Sequence, residues 1–460
     1  MHSTNDGRSL QVTALRQAAS CVLLGLLVTA PAFAARCLDE DTPLSMGSSS
    51  GKTNADNAAL HAGDPRSQLQ SVALQAIARS QSVGATRVLA DAAEQDLAAQ
   101  RAARLPQAAL TGSGGYTQTS APDVNSVTGM QAMAGLRMQA PLWDSGKQRE
   151  LEAWRSQLLQ SARQGQINAE EQVALQAVAL ALDRSRYQLQ SQVYTQYVRR
   201  MACLSEALET IVKADKGRAS ELVQAQKTTQ QAELALEQAK TALAQTEVRL
   251  RRYIGEPLPG IAGLSSVLSK VPSLPEMQRD AIHAAEIVQL DANASAAERL
   301  AASIAAGFKP QVGWNIGSHA VAGAGRSNHI SAMVTLTVPI FDQTAEPTSR
   351  AAQQRAQAAR LQRDDVLELR QSRMADMHEA ATSAFDRARR YVDVLRNSER
   401  VRASTLQQWQ QLGKRSLFDV MAAEGDYYST RIAHVNSLFD GEQAIALLYS
   451  LGRGVTVALR

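Results

Sequence analysis

Pro141-Leu142-Trp143-Asp144 recurs as Pro339-Ile340-Phe341-Asp342, displaced by 198 residues, and the glycine that closes each following helical run, Gly255 then Gly452, is displaced by 197. A fixed displacement that carries both motif and order is an internal duplication. Each copy follows one plan. In the first, a helical segment from about Arg66 to Arg104 leads through Leu105-Pro106 into a Gly/Ser/Thr-rich stretch and then an alternating one; beyond the Pro141 motif come helical segments over about 145–212 and 219–254. The second runs from a helix near Pro275 to Ala306, through Lys309-Pro310 and an alternating pair, to helices near 347–411 and 417–450. The expected organisation is repeat 1 over 66–260, a linker over 261–274, repeat 2 over 275–453 and a tail over 454–460.

The alternating segments decide the class. Met130, Ala132, Ala134, Leu136, Met138 and Ala140 share one face of a strand, and Gln131, Gly135, Arg137 and Gln139 share the other. In the second copy Ile330, Ala332, Val334, Leu336 and Val338 oppose Ser331, Thr335 and Thr337, while Val312, Trp314 and Ile316 alternate with Gln311, Gly313 and Asn315. Period-two alternation over about ten residues with a polar opposite face marks a membrane barrel strand, lipid outside and water inside. Any one such stretch also suits an ordinary sandwich strand. Four strands in a chain cannot close a barrel, and open sheet edges are not tolerated in lipid. Several chains must share one barrel.

The helices have matching lengths. At 1.5 Å per residue, 145–212 would extend ~100 Å, and 66–104 and 219–254 about half of that each. Within 219–254 a heptad seam runs through Leu222, Ala225, Thr229, Ala232, Leu236, Ala239, Leu243, Thr246, Leu250 and Tyr253, spacing that calls for coiled-coil packing with closely approaching axes. The second copy places His434 and Gly441 at corresponding positions, which predicts a looser or shifted seam. Aromatic residues make up only 4% of the chain, a composition that favours thin, closely packed helices over one globular core.

Arg8 and Arg16, the apolar run Cys21 to Ala30 and then Ala32-Phe33-Ala34 have the order of a secretory signal peptide over 1–34, with a mature chain from Ala35. The apolar run is too short to span a bilayer as a helix, and no later segment has the roughly 20 apolar residues required. Residues 35–65, rich in Ser, Gly, Asn and Asp, read as a flexible leader. Arg36 stands before Cys37 where lipid attachment calls for small residues. With only Cys37 and Cys203 left after cleavage, a multi-disulfide framework is excluded.

Nothing in the chain has the pattern of a catalyst. Gly47 to Thr53 resembles a phosphate loop but is one residue short and lacks the strand-to-helix setting. His61 aside, His283, His319, His329, His378 and His434 show no metal-ligand spacing, and His319 and His329 read as exposed residues of the last hairpin turn. There is no nucleophile elbow, carboxylate pair or dinucleotide fingerprint, so no cofactor, no metal and no enzymatic activity are expected. The formal charge of +4 is spread along the chain with no basic face for nucleic acid.

The duplicated helix-strand-strand-helix-helix plan, the strand-to-helix turns Ala140 to Gly146 and Val338 to Thr344, and the Gly-rich repeat ends together resemble the TolC family, over about Arg66 to Gly452. The resemblance implies an α+β membrane protein: a homotrimer whose outer-membrane β-barrel takes four strands per chain and continues as a long periplasmic α-helical barrel. It implies a passive duct for type I protein secretion or for multidrug efflux, coupled to a periplasmic adaptor and an inner-membrane ABC or other transporter, with exported protein or small molecules as cargo. The lack of a lipidation site tilts the reading modestly towards type I secretion. In that family the tunnel closes where the inner helix pairs turn, here Lys216 to Leu222 and Gly413 to Val420. The likeness puts Arg415 at the gate arginine, Asp419 at the first acidic ring, and Ser220 and Glu221 at the latching hydroxyl and carboxylate. Gln410 stands at the gate tyrosine and Ala422 at the second acidic ring, with Glu424 nearby on another side of the helix. Ser416 and Asp419 also read as a capping box with no gating role. The competing reading is a periplasmic coiled-coil adaptor or scaffold, which would have no use for two hairpins with apolar faces.

Overall fold

The computed structural model describes residues 64–121, 124–260, 264, 267–412 and 415–460; the expected signal peptide, Cys37 and the Gly47–Thr53 stretch lie outside the described residues. Helix α1 (Pro65–Arg79) is capped by Asp64, whose carboxylate accepts from the Arg66 amide, and has proline at a first-turn position that needs no amide hydrogen. The single helix expected over 66–104 is two helices. Ser80 is extended: its amide closes α1, and its hydroxyl accepts from Val83 to start α2 (Gln81–Ala102). A serine side chain can replace a helical bond to the backbone, so the chain bends there without the Gly or Pro that would announce it.

Strands β1 (Gln107–Ala121) and β2 (Val124–Trp143) follow, then α3 (Lys147–Ala214), a single 3-10 turn at Lys216–Arg218, and α4 (Ala219–Ile254). The second repeat opens with α5 (Leu274–Asp280) and α6 (Ala285–Gly307), again a broken helix where one was expected, with a 3-10 turn at Ala281–His283 between them. It continues with β3 (Gln311–Gly323), β4 (Ser327–Thr337), α7 (Ala345–Leu412) and α8 (Leu417–Leu451), and a last turn, α9 (Val455–Ala458), ends the chain. The duplication is geometric as well as sequential: α3 and α7 have 68 residues each, and α4 and α8 have 36 and 35. Equivalent residues also do equivalent work. Asp144 accepts from the amides of Gly146 and Gln148, and Asp342 accepts from the amide and hydroxyl of Thr344, so each aspartate folds the turn from strand into long helix.

The main core lies midway along the helices, where α1, α3 and α8 meet. Leu69, Val178, Leu182, Phe439 and Ile445 are buried there, and so are Leu264 and Leu268 of the linker and Val455 and Leu459 of the tail. The linker and the tail thus contribute core rather than merely joining parts. Smaller apolar clusters sit near the α3–α4 and α7–α8 turns and between α5, α7 and α8. The first seam is packed as its heptads predict, with Ala225, Ala232, Ala239 and Thr246 buried at intervals of seven. The second is no looser: at Gly441 a Cβ would stand 2.8 Å from the Phe385 ring, so the missing side chain is what lets α7 and α8 close up. Cys203 is disulfide-bonded; the other two cysteines lie outside the described residues.

Candidate functional site

The four strands make one antiparallel sheet in the order β1-β2-β3-β4, and β2 of the first repeat bonds to β3 of the second. The registers run the alternation across all four. Leu110, Leu136, Ser318 and Ile330 are successive partners on one rung, and Met138, Ile316 and Ala332 on another, with Ala140, Trp314 and Val334 on a third. Because side chains alternate between faces, every one of these lies on the same side, and that side is apolar and open: Leu110 is 82% exposed, Ile330 80% and Val334 70%. The other side is mainly polar, with Thr111, Arg137, Gln139, Asn315, Ser331 and Thr335, among which Met133, Val321 and Met333 are set. β1 and β4 are free edges. An apolar sheet face of this extent with two unpaired edges is unstable in water.

His319 and His329 are not loop residues. β3 and β4 extend past them to a shorter turn, which leaves the two imidazoles directly opposite on the polar face, ring centroids 4.9 Å apart.

At the far end of the long helices lie the two turns. Asp215 ends α3 and its carboxylate accepts from the Gly217 amide, so the chain reverses within a single 3-10 turn. Ser220 is exposed beside it. Glu221 forms an ion pair with Arg218 at 3.4 Å, but the contact lacks hydrogen-bond geometry and leaves its Oε2 buried without a hydrogen bond. In the second turn Ser416 and Asp419 form the full capping box, each side chain bonded to the other's amide. Arg415 donates to Gln408 at 3.2 Å and stands 3.9 Å from Asp419, and Gln410 and Ala422 are exposed. Among the described residues no bond joins Arg415 to Glu221 within the chain.

Glu424 is what the sequence reading missed. Its side chain is fully buried: it accepts from Arg200 of α3 at 2.9 Å and from Arg402 of α7 at 3.4 Å. Arg402 also pairs with Glu399 at 2.9 Å and lies 4.4 Å over the Tyr427 ring, while Tyr197 of α3 packs against Tyr428. This node ends a polar ladder between α3 and α8. Its rungs are Asp183 with Gln443, Arg186 with Asp440, Gln190 with Asn436 and Gln196 with Arg431, all between 2.5 and 2.7 Å. Charged residues on helices ordinarily read as solvated, and no local signal marks a partner more than two hundred positions away.

Among the described residues there is no cluster of three or more metal-ligating side chains, and no helix is long and apolar enough to cross a membrane.

The sequence profile of the outer membrane efflux protein family matches residues 72–256, which is the first repeat from within α1 to just beyond α4. No curated protein matches the sequence. Among solved structures, the outer membrane protein VceC of Vibrio cholerae superposes with a TM-score of 0.70 at 17% identity, covering 85% of this chain and 97% of that one. The CmeC outer membrane channel of Campylobacter jejuni gives 0.72 at 14% identity, with 84% and 85% covered. The open state of the MtrE outer membrane channel of Neisseria gonorrhoeae gives 0.69 at 18% identity, with 84% and 89% covered. At such identities the likeness is one of fold.

Proposed function

We propose that this chain, which carries an outer membrane efflux protein domain over residues 72–256 and has the fold of TolC-like outer-membrane channels, is one of three subunits of a passive duct from the periplasm to the cell exterior. The exposed apolar face of the four-stranded sheet carries this reading. Lipid is the solvent that such a face suits, and pairing of β4 with β1 of the next copy removes both free edges, as a membrane barrel demands. The polar face then lines water. From the barrel, α3 and α7 reach ~100 Å into the periplasm, and the duct docks there with a periplasmic adaptor and an inner-membrane transporter for type I protein secretion or efflux. A periplasmic scaffold would leave the sheet without a role.

The gate lies at the α3–α4 and α7–α8 turns. Arg415, half exposed and only loosely held by its own chain, reaches Glu221 of a neighbouring copy, whose Oε2 lacks a hydrogen bond, with Ser220 beside it. The three Asp419 carboxylates ring the opening, and Gln410 and Ala422 in place of a tyrosine and an acid leave the closed state leakier than a fully latched one.

The test is to extract the full chain from outer membranes and to measure its assembly and its conductance in planar bilayers. Heat-resistant trimers that insert and conduct are expected. A soluble periplasmic monomer without conductance would favour the scaffold.

A further inference from the structure

We propose that His319 and His329 form a two-imidazole binding site for a divalent transition-metal ion, Zn2+, Ni2+ or Cu2+, on the polar face of the sheet. They are register partners in β3 and β4, with ring centroids 4.9 Å apart and ring planes inclined by 36°. Two imidazole nitrogens bound to one tetrahedral ion at about 2.0–2.1 Å stand about 3.4 Å apart. Rings of this spacing reach that arrangement by side-chain rotation alone, because directly opposed residues already hold their Cβ atoms about 4.5–5.5 Å apart. Aromatic contact fits the same spacing, and metal binding is what separates the two.

The surroundings keep the imidazoles accessible. Gly135 is the β2 partner of His319, and a Cβ there would press on the His319 Cβ at 3.2 Å. Gly317 and Ser331 make the adjacent rung on the same face. The larger side chains of that face, Val321 with Met133 on one side and Arg137 beside Gly317 on the other, stand one rung away, and His329 is exposed, so water can complete the coordination shell that two ligands leave open. Imidazole favours borderline ions, with affinity rising towards Cu2+, whereas Mg2+ and Ca2+ prefer oxygen ligands. In the trimeric duct three such pairs face the lumen, and each occupied one adds a double positive charge to the wall. That placement rests on the duct reading; binding itself does not.

Calorimetric titration of the tag-free, detergent-solubilised full chain with ZnCl2, NiCl2, CuCl2 and MgCl2 tests the site. One ion per chain is expected to bind, most tightly with Cu2+ and not at all with Mg2+. Loss of even a hydrogen-bond partner of a metal ligand costs about tenfold in affinity or more, so His319→Ala and His329→Asn should each weaken binding at least that far, while His283→Ala on an exposed turn leaves it unchanged. No binding by the unaltered chain, or affinity undiminished in both variants, overturns the site. In bilayers, Zn2+ should reduce cation conductance of the unaltered channel and not of His319→Ala. Calorimetric binding without any change in conductance would keep the metal site and reject its place in the lumen.

Discussion

Replacing Glu442 by Gln should remove a large pH dependence from the stability of the helical core. Glu442 lies on α8 with its side chain fully buried, and burial raises its pKa from 4.5 to about 8. The amides of Val267 and Leu268 approach the carboxyl and offset this in part, but neither oxygen gains a hydrogen bond of good geometry. The folded protein therefore holds a proton that the unfolded chain releases. An acid with a raised folded pKa contributes stability that is fully present below the unfolded value and is lost as pH rises through the folded one. At about 1.4 kcal/mol for each pH unit between the unfolded and folded values, the loss from pH 4.5 to about 8 approaches 5 kcal/mol as an upper figure. Gln has the shape of the neutral acid and no proton to lose. Far-UV circular dichroism should show the two proteins unfolding alike near about pH 5, and the variant unfolding at a clearly higher temperature above about pH 8. Groups common to both cancel in the difference. Parallel pH profiles would mean that Glu442 is hydrated or ionised in the folded protein, and burial would not be setting its protonation.

Arg at Leu136 or Val334, on the apolar face of the sheet, should sharply lower the yield of heat-resistant trimer, since a charge at mid-membrane costs ~2–4 kcal/mol; Arg at Gln139 or Thr335 should not, and equal yields would reject the facing. At the tip, Arg415→Ser should raise single-channel conductance. Asp419→Asn keeps an acceptor for the Ser416 amide while removing charge, so it should weaken block by multivalent cations without the ~1 kcal/mol of helix stability that loss of a cap costs; unchanged block would leave Asp419 a capping residue alone. Glu424→Ala removes the buried carboxylate shared by Arg200 and Arg402, of which Arg402 keeps Glu399, and should cost up to about 3–5 kcal/mol, read as a lower unfolding temperature; a change within error would mean that water replaces the carboxylate.

What the sequence makes legible and what it hides divide along a physical line. Solvent-set patterns can be read locally. Met130 to Ala140 alternates because its two faces meet different environments, and the heptads of α4 follow from a seam with one neighbour. The turns at Asp144 and Asp342 are visible because an aspartate before a helix has one local use. Partner-set features cannot be read so. Ser80 breaks a helix by capping the next one, and neither Gly nor Pro stands at the break itself. Glu424 owes its burial to Arg200 and Arg402, which the fold alone brings to it. Gly441 looks like a weak point in a heptad until Phe385 fills the space. The histidine pair depends on one structural number, the length of the last hairpin turn: a few residues more would place both rings in a loop.

Towards the turns, the two repeats meet through contacts unlike those inside them. Within a pair the seam is mostly apolar: small residues recur every seven positions along α4, and Phe385 closes over Gly441, with the Arg184–Glu247 ion pair at the margin of the first seam. Separating such a seam exposes apolar surface at ~25 cal/mol per Å2. Between pairs, beyond the apolar core of Val178, Leu182, Phe439 and Ile445, the α3–α8 contact is a succession of polar side-chain bonds from Asp183 to Arg200. Each of those bonds is worth only about 0.5–1.5 kcal/mol net, because water replaces either partner. Towards the turns, beyond that core, the pairs are therefore held against each other mainly by polar bonds. The exception is the buried node of Arg200, Glu424 and Arg402, where water does not readily stand in for a partner. Its carboxylate, Glu424, lies on α8 about two turns from the capped start at Ser416, close to the turns of the proposed gate. In the proposed duct this node is the fixed point between the repeats, one step back from the tip.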